Sequence, residues 1–191
     1  MSDDTMLWLG NPITFVAIWV VMMVGMMVPS LVPVLRRYRL PVTLAAAYFA
    51  VWAAFGTVAY VVGTMLVRAT RHSPTLGRAL PIVLGVLLAA SGLVQFTEWK
   101  RRHLACCRDC APRAAHSAWD DGLRLGLHCC QCCLALMALL FAAGMMRLGA
   151  IVLVAALIAA ERLLPRPMPV VRLIGVGVMT FGTFLTWRAL S

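Results

Sequence analysis

"ITFVAIWVVMMVGMMVPSLVPVL", residues 13–35, contains no charged side chain and is followed at once by Arg36, Arg37 and Arg39. A hydrocarbon core of about 30 Å is crossed by about 20 helical residues rising about 1.5 Å each, so this run can span a bilayer unaided. Asp3 and Asp4 precede it where a cleavable signal would carry Lys or Arg, so the run reads as retained in the membrane. The rest of the chain repeats the pattern at 42–67, 80–96, 125–146, 149–163 and 170–190, the third and fifth of the six runs being the shortest. With 62% hydrophobic and 13% charged residues, the composition is far from the soluble norm of about 25% charged. The apolar runs are continuous rather than alternating, which argues against a membrane barrel. The expected fold is all-α: a polytopic membrane protein of about six transmembrane helices in one bundle, forming a single domain over residues 1–191.

The basic residues orient this bundle. Twelve of the 17 Lys and Arg fall in the connections 36–41, 97–124 and 162–172; Arg68, Arg71, Arg78, Arg147 and Arg188 do not. Cytoplasmic connections carry the basic excess, so both termini are expected outside and the 97–124 loop inside, in a cytoplasmic (inner) membrane. The same placement accounts for the net charge of +10 as short loops against an anionic leaflet and argues against nucleic acid as a partner.

All seven cysteines lie between Cys106 and Cys133, in or beside that loop. Clustered thiols in a reducing compartment favour metal or redox chemistry over structural disulfides. Cys107 and Cys110 form one C-x-x-C and Cys129 and Cys132 a second, at the separation of tetrahedral zinc clips, although here the second pair opens an apolar helix. For a helix starting near Leu125, residues three and four apart share a face. His128 then lies over Cys132, Cys129 over Cys132 and Cys133, and Cys133 over Met137, with Cys130 alongside. Such soft ligands favour Cu(I), and zinc also accepts thiolate and imidazole. A lone buried cysteine is commonly a small hydrophobe, but four in five positions with Cys106, Cys107 and Cys110 upstream are not so explained.

In the first run, Met22 and Met26, and Met23 and Met27, stand at i and i+4, where two thioethers can bracket one soft ion. Methionine is also an ordinary filler of irregular cores. By depth, the thiols should lie near the cytoplasmic edge, Met22 to Met27 near the midplane and Met137 between them, with Met145 and Met146 further out. Such a ladder is a route for Cu(I) only if the first and fourth runs are neighbours. Pro29 and Pro33 should bend the cytoplasmic end of the first run and free carbonyls there.

Glu98 and Glu161 sit at helix ends beside arginines and read as solvated ion pairs. His103 and His116 are possible imidazole ligands, and His72 reads as a loop residue. The chain lacks a Walker A loop, a dinucleotide fingerprint, H-E-x-x-H and G-x-S-x-G, so no enzymatic activity and no single-chain ATP-driven pump is expected. "VGMMVPS" and "AGMMRLG" echo one another in helices of opposite direction, as in a weak three-plus-three inverted repeat. Gly175 and Gly182, seven residues apart, mark a face able to pack closely on a partner.

"MMVGMMVPS", "VQFTEWKRRHLACCRDC", "GLHCCQCCLALMALLFAAGMM" and "AAERLLP" together resemble a bacterial family of predicted metal-binding integral membrane proteins without an established reaction. The resemblance runs from about Met22 to Pro165 and implies a helical membrane fold with a metal site in these cysteines and methionines. The family's C-x-G-C-C-W-x-L-M pattern falls on Cys129, Cys132, Cys133, Leu136 and Met137. Its upstream Q-x-T-x-x-K and single cysteine fall on Gln95, Lys100 and either Cys106 or Cys107. This chain departs in Gln131, Leu134, Cys130 and the extra thiols of 106–110.

The expected function is therefore binding of a soft metal, most simply Cu(I) with zinc as the alternative, and its transfer or transport at the membrane. The partners are the lipid bilayer and a copper donor or acceptor protein. Two other classes stay open: a non-catalytic subunit of a larger membrane complex with a structural zinc or copper site, and a membrane thiol-redox protein cycling its C-x-x-C pairs.

Overall fold

The computed structural model describes residues 11–108, 117–143, 147–164 and 167–191. Seven helices make up the described residues: α1 (Pro12–Leu35), α2 (Pro41–His72), α3 (Pro74–Val94), α4 (Glu98–Arg108), α5 (Ala118–Ala143), α6 (Leu148–Leu163) and α7 (Pro167–Leu190). Five of them, α1, α2, α3, α5 and α7, are long and apolar enough to cross a membrane; α6, with 16 residues, is shorter. The expected all-helical class holds and each of the six apolar runs falls largely within a helix, but among the described residues five helices, not the expected six, are long and apolar enough to span, because α6 is too short.

Two differences bear on function. The 97–124 connection is largely helical, because it contains α4 and the first two turns of α5. Local caps start both elements: Thr97 Oγ1 accepts the Lys100 amide at 3.4 Å, and Ser117 Oγ accepts the Asp120 amide at 3.2 Å while donating to the Asp120 carboxylate at 2.7 Å. As a result Cys129 lies three turns inside α5 rather than at its mouth. The second difference is that α2 continues to His72, which is the last residue of a helix rather than part of a loop. Pro29 and Pro33 lie within an unbroken α1, and Asn11 caps its start by accepting the Ile13 amide at 3.0 Å.

Close packing holds the bundle together. α3 and α7 run antiparallel in contact through glycines. A Cβ on Gly92 would lie 2.9 Å from the Gly175 carbonyl oxygen, and one on Gly182 would lie 2.8 Å from that of Gly85. The Gly175 and Gly182 face thus meets a matching Gly85 and Gly92 face of the same chain. Gly122 and Gly126 of α5 similarly admit the backbone of α2 at Leu44 and Tyr48. The Gly182→Ala variant should lose about 1–3 kcal/mol, because the new methyl meets backbone that no rotamer change can clear. Thermal unfolding in one detergent, compared with Gly177→Ala where the added methyl meets open space, measures this.

The core lies among α1, α2, α5 and α6. It is lined by Trp19, Trp52, Tyr48 and Leu136, and it contains the sulfurs of Met23, Met26, Met27, Cys107, Cys129, Cys132, Cys133 and Met137. Trp19 spans the centre: its indole N–H donates to the Trp52 carbonyl at 3.0 Å, and its ring stacks on Phe141 with centroids 5.8 Å apart. α1 and α5, the first and fourth apolar runs, are therefore in side-chain contact.

Candidate metal centre

Four cysteines converge at one end of this core. The Sγ atoms form a row: Cys107 lies 3.8 Å from Cys132, Cys132 lies 3.7 Å from Cys133, and Cys133 lies 3.9 Å from Cys129. Helical spacing brings Cys129, Cys132 and Cys133 together on the buried face of α5. The fold-back of α4 adds Cys107, whose side chain is buried against them. Cys107, Cys129, Cys130, Cys132 and Cys133 are free thiols.

At a metal–sulfur distance of about 2.3 Å, two sulfurs separated by these distances subtend roughly 107–116° at a bridging ion, close to the tetrahedral value. Each neighbouring pair could therefore take one soft ion with little movement. Among the described residues no group of three or more His, Cys, Asp or Glu side chains is placed to hold a metal ion as it stands.

Polar groups surround the row. Tyr48 Oη lies 2.9 Å from Cys129 Sγ. Arg162, buried, directs Nη2 at Cys132 Sγ at 3.8 Å and Nη1 at Ser30 Oγ at 3.4 Å. Lys100, also buried, donates to the Cys132 carbonyl at 2.5 Å and pairs with Glu161 at 2.7 Å, while Gln95 Nε2 donates to the other Glu161 oxygen at 3.3 Å. Arg108 closes the end of α6 by donating to the Glu161 and Leu164 carbonyls. The Cys107 thiol is held well above its ordinary pKa by its hydrogen bond to Cys132 and then by burial, so it is protonated in the free site.

Several sequence expectations need correction. Glu161 is not solvated: it is 1% exposed and carries the Lys100 ion pair, whereas Glu98, 61% exposed and paired with Arg101, fits the expectation. His128 lies beside His103, ring centroids 5.2 Å apart, and its Nε2 accepts from Arg124 Nε at 3.5 Å. Cys106 and Cys130 are half-buried, unlike the four buried cysteines of the row. Cys110, His116, Met145 and Met146 lie outside the described residues.

The methionines divide. Met23, Met26 and Met27 are buried with Met137, whereas Met22 is half-exposed at the core's margin. Trp19 against Phe141, and Ser30 linked through Arg162 to Cys132, fix the register of α1 on α5. Met23, Met26, Met27 and Met137 share one buried cluster with the four cysteines of the row.

Sequence reasoning missed Tyr48, Ser30 and Arg162. The Lys100 and Gln95 positions were visible only through the family resemblance.

No curated protein and no solved structure matches the chain. Residues 16–185 match the PpoB2 family model, described as copper chaperone, a span that takes in α5, α6 and every cysteine of the row. A buried run of four thiols from two helices, with thioethers in the same core, is soft-metal chemistry of the kind that description names. The chain belongs to the PpoB2 copper chaperone family.

Proposed function

We propose that this protein is a membrane-embedded Cu(I)-binding protein that receives the ion on Cys107, Cys129, Cys132 and Cys133 and passes it along Met27, Met23 and Met137 to an acceptor. The observation that carries the reading is the continuous row of four buried sulfurs, each 3.7–3.9 Å from the next. Soft thiolate and thioether donors prefer Cu(I) to harder ions. Neighbouring thiols let an ion exchange one sulfur at a time without passing through water. The chain acts as a carrier rather than an enzyme.

The same reading gives the bundle six crossings, with the sulfur end in the cytoplasm. At about 1.5 Å per residue α6 spans about 24 Å, short of the hydrocarbon core but within what snorkelling ends and local thinning accommodate. The main packings support two inverted halves, α1 to α3 and α5 to α7. α3 meets α7, and α2 meets α5 as α6 meets α1, each relation mapping onto the other when the halves are exchanged.

The protein is loaded anaerobically with Cu(I), challenged with a graded Cu(I) chelator, and its metal content measured. At least one exchangeable Cu(I) per chain is expected, unchanged in Cys130→Ser and Cys106→Ser and lost when Cys129, Cys132 and Cys133 are replaced together. A metal-free wild type, or full copper in the triple variant, refutes the site.

One observation favours a second reading. The Cys107 to Cys132 contact ties α4 to α5, which is what a structural clip would do. Stoichiometric zinc that does not exchange would assign the row to that role.

A further inference from the structure

Arg162 carries a charge that the described residues do not balance. It is buried at the inner end of the bundle, and its Nε has no hydrogen-bond partner. The adjacent carboxylate, Glu161, is already taken by Lys100 and Gln95. Among the described residues no carboxylate lies within ion-pair distance of the guanidinium. Lys100 and Glu161 pair with each other, which leaves the buried guanidinium of Arg162 without an ion-pair partner among the described residues, beside four thiols. A buried cation without a partner anion is costly in a low-dielectric interior, and arginine cannot shed its proton to escape that cost. The groups close enough to supply the anion are the sulfurs, since Nη2 already points at Cys132 Sγ at 3.8 Å.

We infer that Arg162 is a specificity-determining positioning residue: its fixed charge sets the sulfur site for a metal–thiolate complex of net charge −1, which for Cu(I) means two thiolates. The inference rests on the copper reading above. The arithmetic is short. A monovalent ion on two thiolates carries −1, which the guanidinium cancels. A divalent ion on the same two thiolates is neutral and leaves Arg162 bare, so zinc reaches the same balance only by recruiting a third thiolate. Each thiol that binds gives its proton to solvent. Ser30 supports the role by accepting from Nη1, which aims the other arm of the guanidinium at Cys132.

The test compares affinities for Cu(I) and Zn(II), each by chelator competition, in the purified full-length wild type and in Arg162→Met and Arg162→Lys. Arg162→Met should weaken Cu(I) about a hundredfold, the penalty for a buried complex left with an uncompensated charge, and Zn(II) much less. The Cu(I)-to-Zn(II) affinity ratio therefore falls, and Arg162→Lys should recover most of it by restoring the charge. If Arg162→Met does not fold, Arg162→Gln, neutral but still able to donate to Ser30, carries the same comparison. An unchanged Cu(I) affinity in a folded neutral variant overturns the inference. So does an equal loss of both metals that lysine does not rescue, which would make Arg162 a purely structural residue. A wild type that binds no Cu(I) defeats the copper reading itself and is seen before any variant is made.

Discussion

The Cys132→Ala variant should lose Cu(I) affinity by about a hundredfold or more, a larger effect than removal of any other single thiol. Cys132 is the hub of the row: its sulfur touches Cys107, Cys133 and the guanidinium of Arg162, and its carbonyl takes the Lys100 ammonium. Removing that sulfur leaves Cys107 alone on α4 and a separate Cys129 and Cys133 pair on α5. Arg162 then loses the sulfur its Nη2 is directed at. Alanine is smaller than cysteine by one sulfur atom, and the backbone contact to Lys100 is unaffected, so the helix should fold. Chelator competition against Cys132→Ala and Cys107→Ser reads the result. Wild-type affinity in Cys132→Ala would shift the site to Cys129, Cys133 and the thioethers. A smaller loss in Cys107→Ser than in Cys132→Ala is expected, because Cys107 ends the row instead of joining its two parts.

The apolar runs were legible because long charge-poor stretches declare themselves in composition, and each of the six falls largely within a helix. The α5 thiols were legible for a related reason, since positions 129, 132 and 133 share a face on any helix that contains them. α4 was not visible. It is short and polar, and its pattern of charged residues and cysteines reads equally well as a loop. Everything that depends on where α4 lies was lost with it, which includes the burial of Lys100, the arrival of Cys107 at Cys132 and the capture of His128 by His103. Glu161 and Arg162 were read as a solvated helix end for the same reason. Sequence places them at the boundary of an apolar run, and only the covering of that boundary by α4 makes them interior. The polar character of α4's inner face, with Lys100 at the position where Leu104 and Cys107 are buried, was the available signal. A buried lysine requires a buried carboxylate, and Glu161 is the one at a matching depth.

That buried pair yields the other large effect. Lys100→Met and Glu161→Met should each cost about 3–5 kcal/mol of stability, because either change strands an ion of the opposite sign in the core. The double variant should be far less damaged than the two single losses combined, since two apolar side chains of similar volume leave no charge behind. Lys100→Met should also disturb the site, because its ammonium fixes the Cys132 carbonyl and with it the turn that presents the central sulfur. Burial works against the Lys100 charge, but the Glu161 carboxylate, followed by Cys132 and Cys133, outweighs it and holds the pKa above its ordinary value. A lysine whose pKa rises on folding stabilises the protein at pH values below its unfolded pKa of about 10.4 and loses that contribution as pH climbs through the folded value. On the alkaline side the Lys100 contribution should therefore weaken only in strong alkali, as the ammonium loses its proton. Thermal unfolding of the two single variants and the double variant in one detergent, from neutral pH into alkali, is the measurement. Additive losses would show that Lys100 and Glu161 act separately. Strong coupling would establish them as the clasp that seals α4 and α6 over the sulfur row.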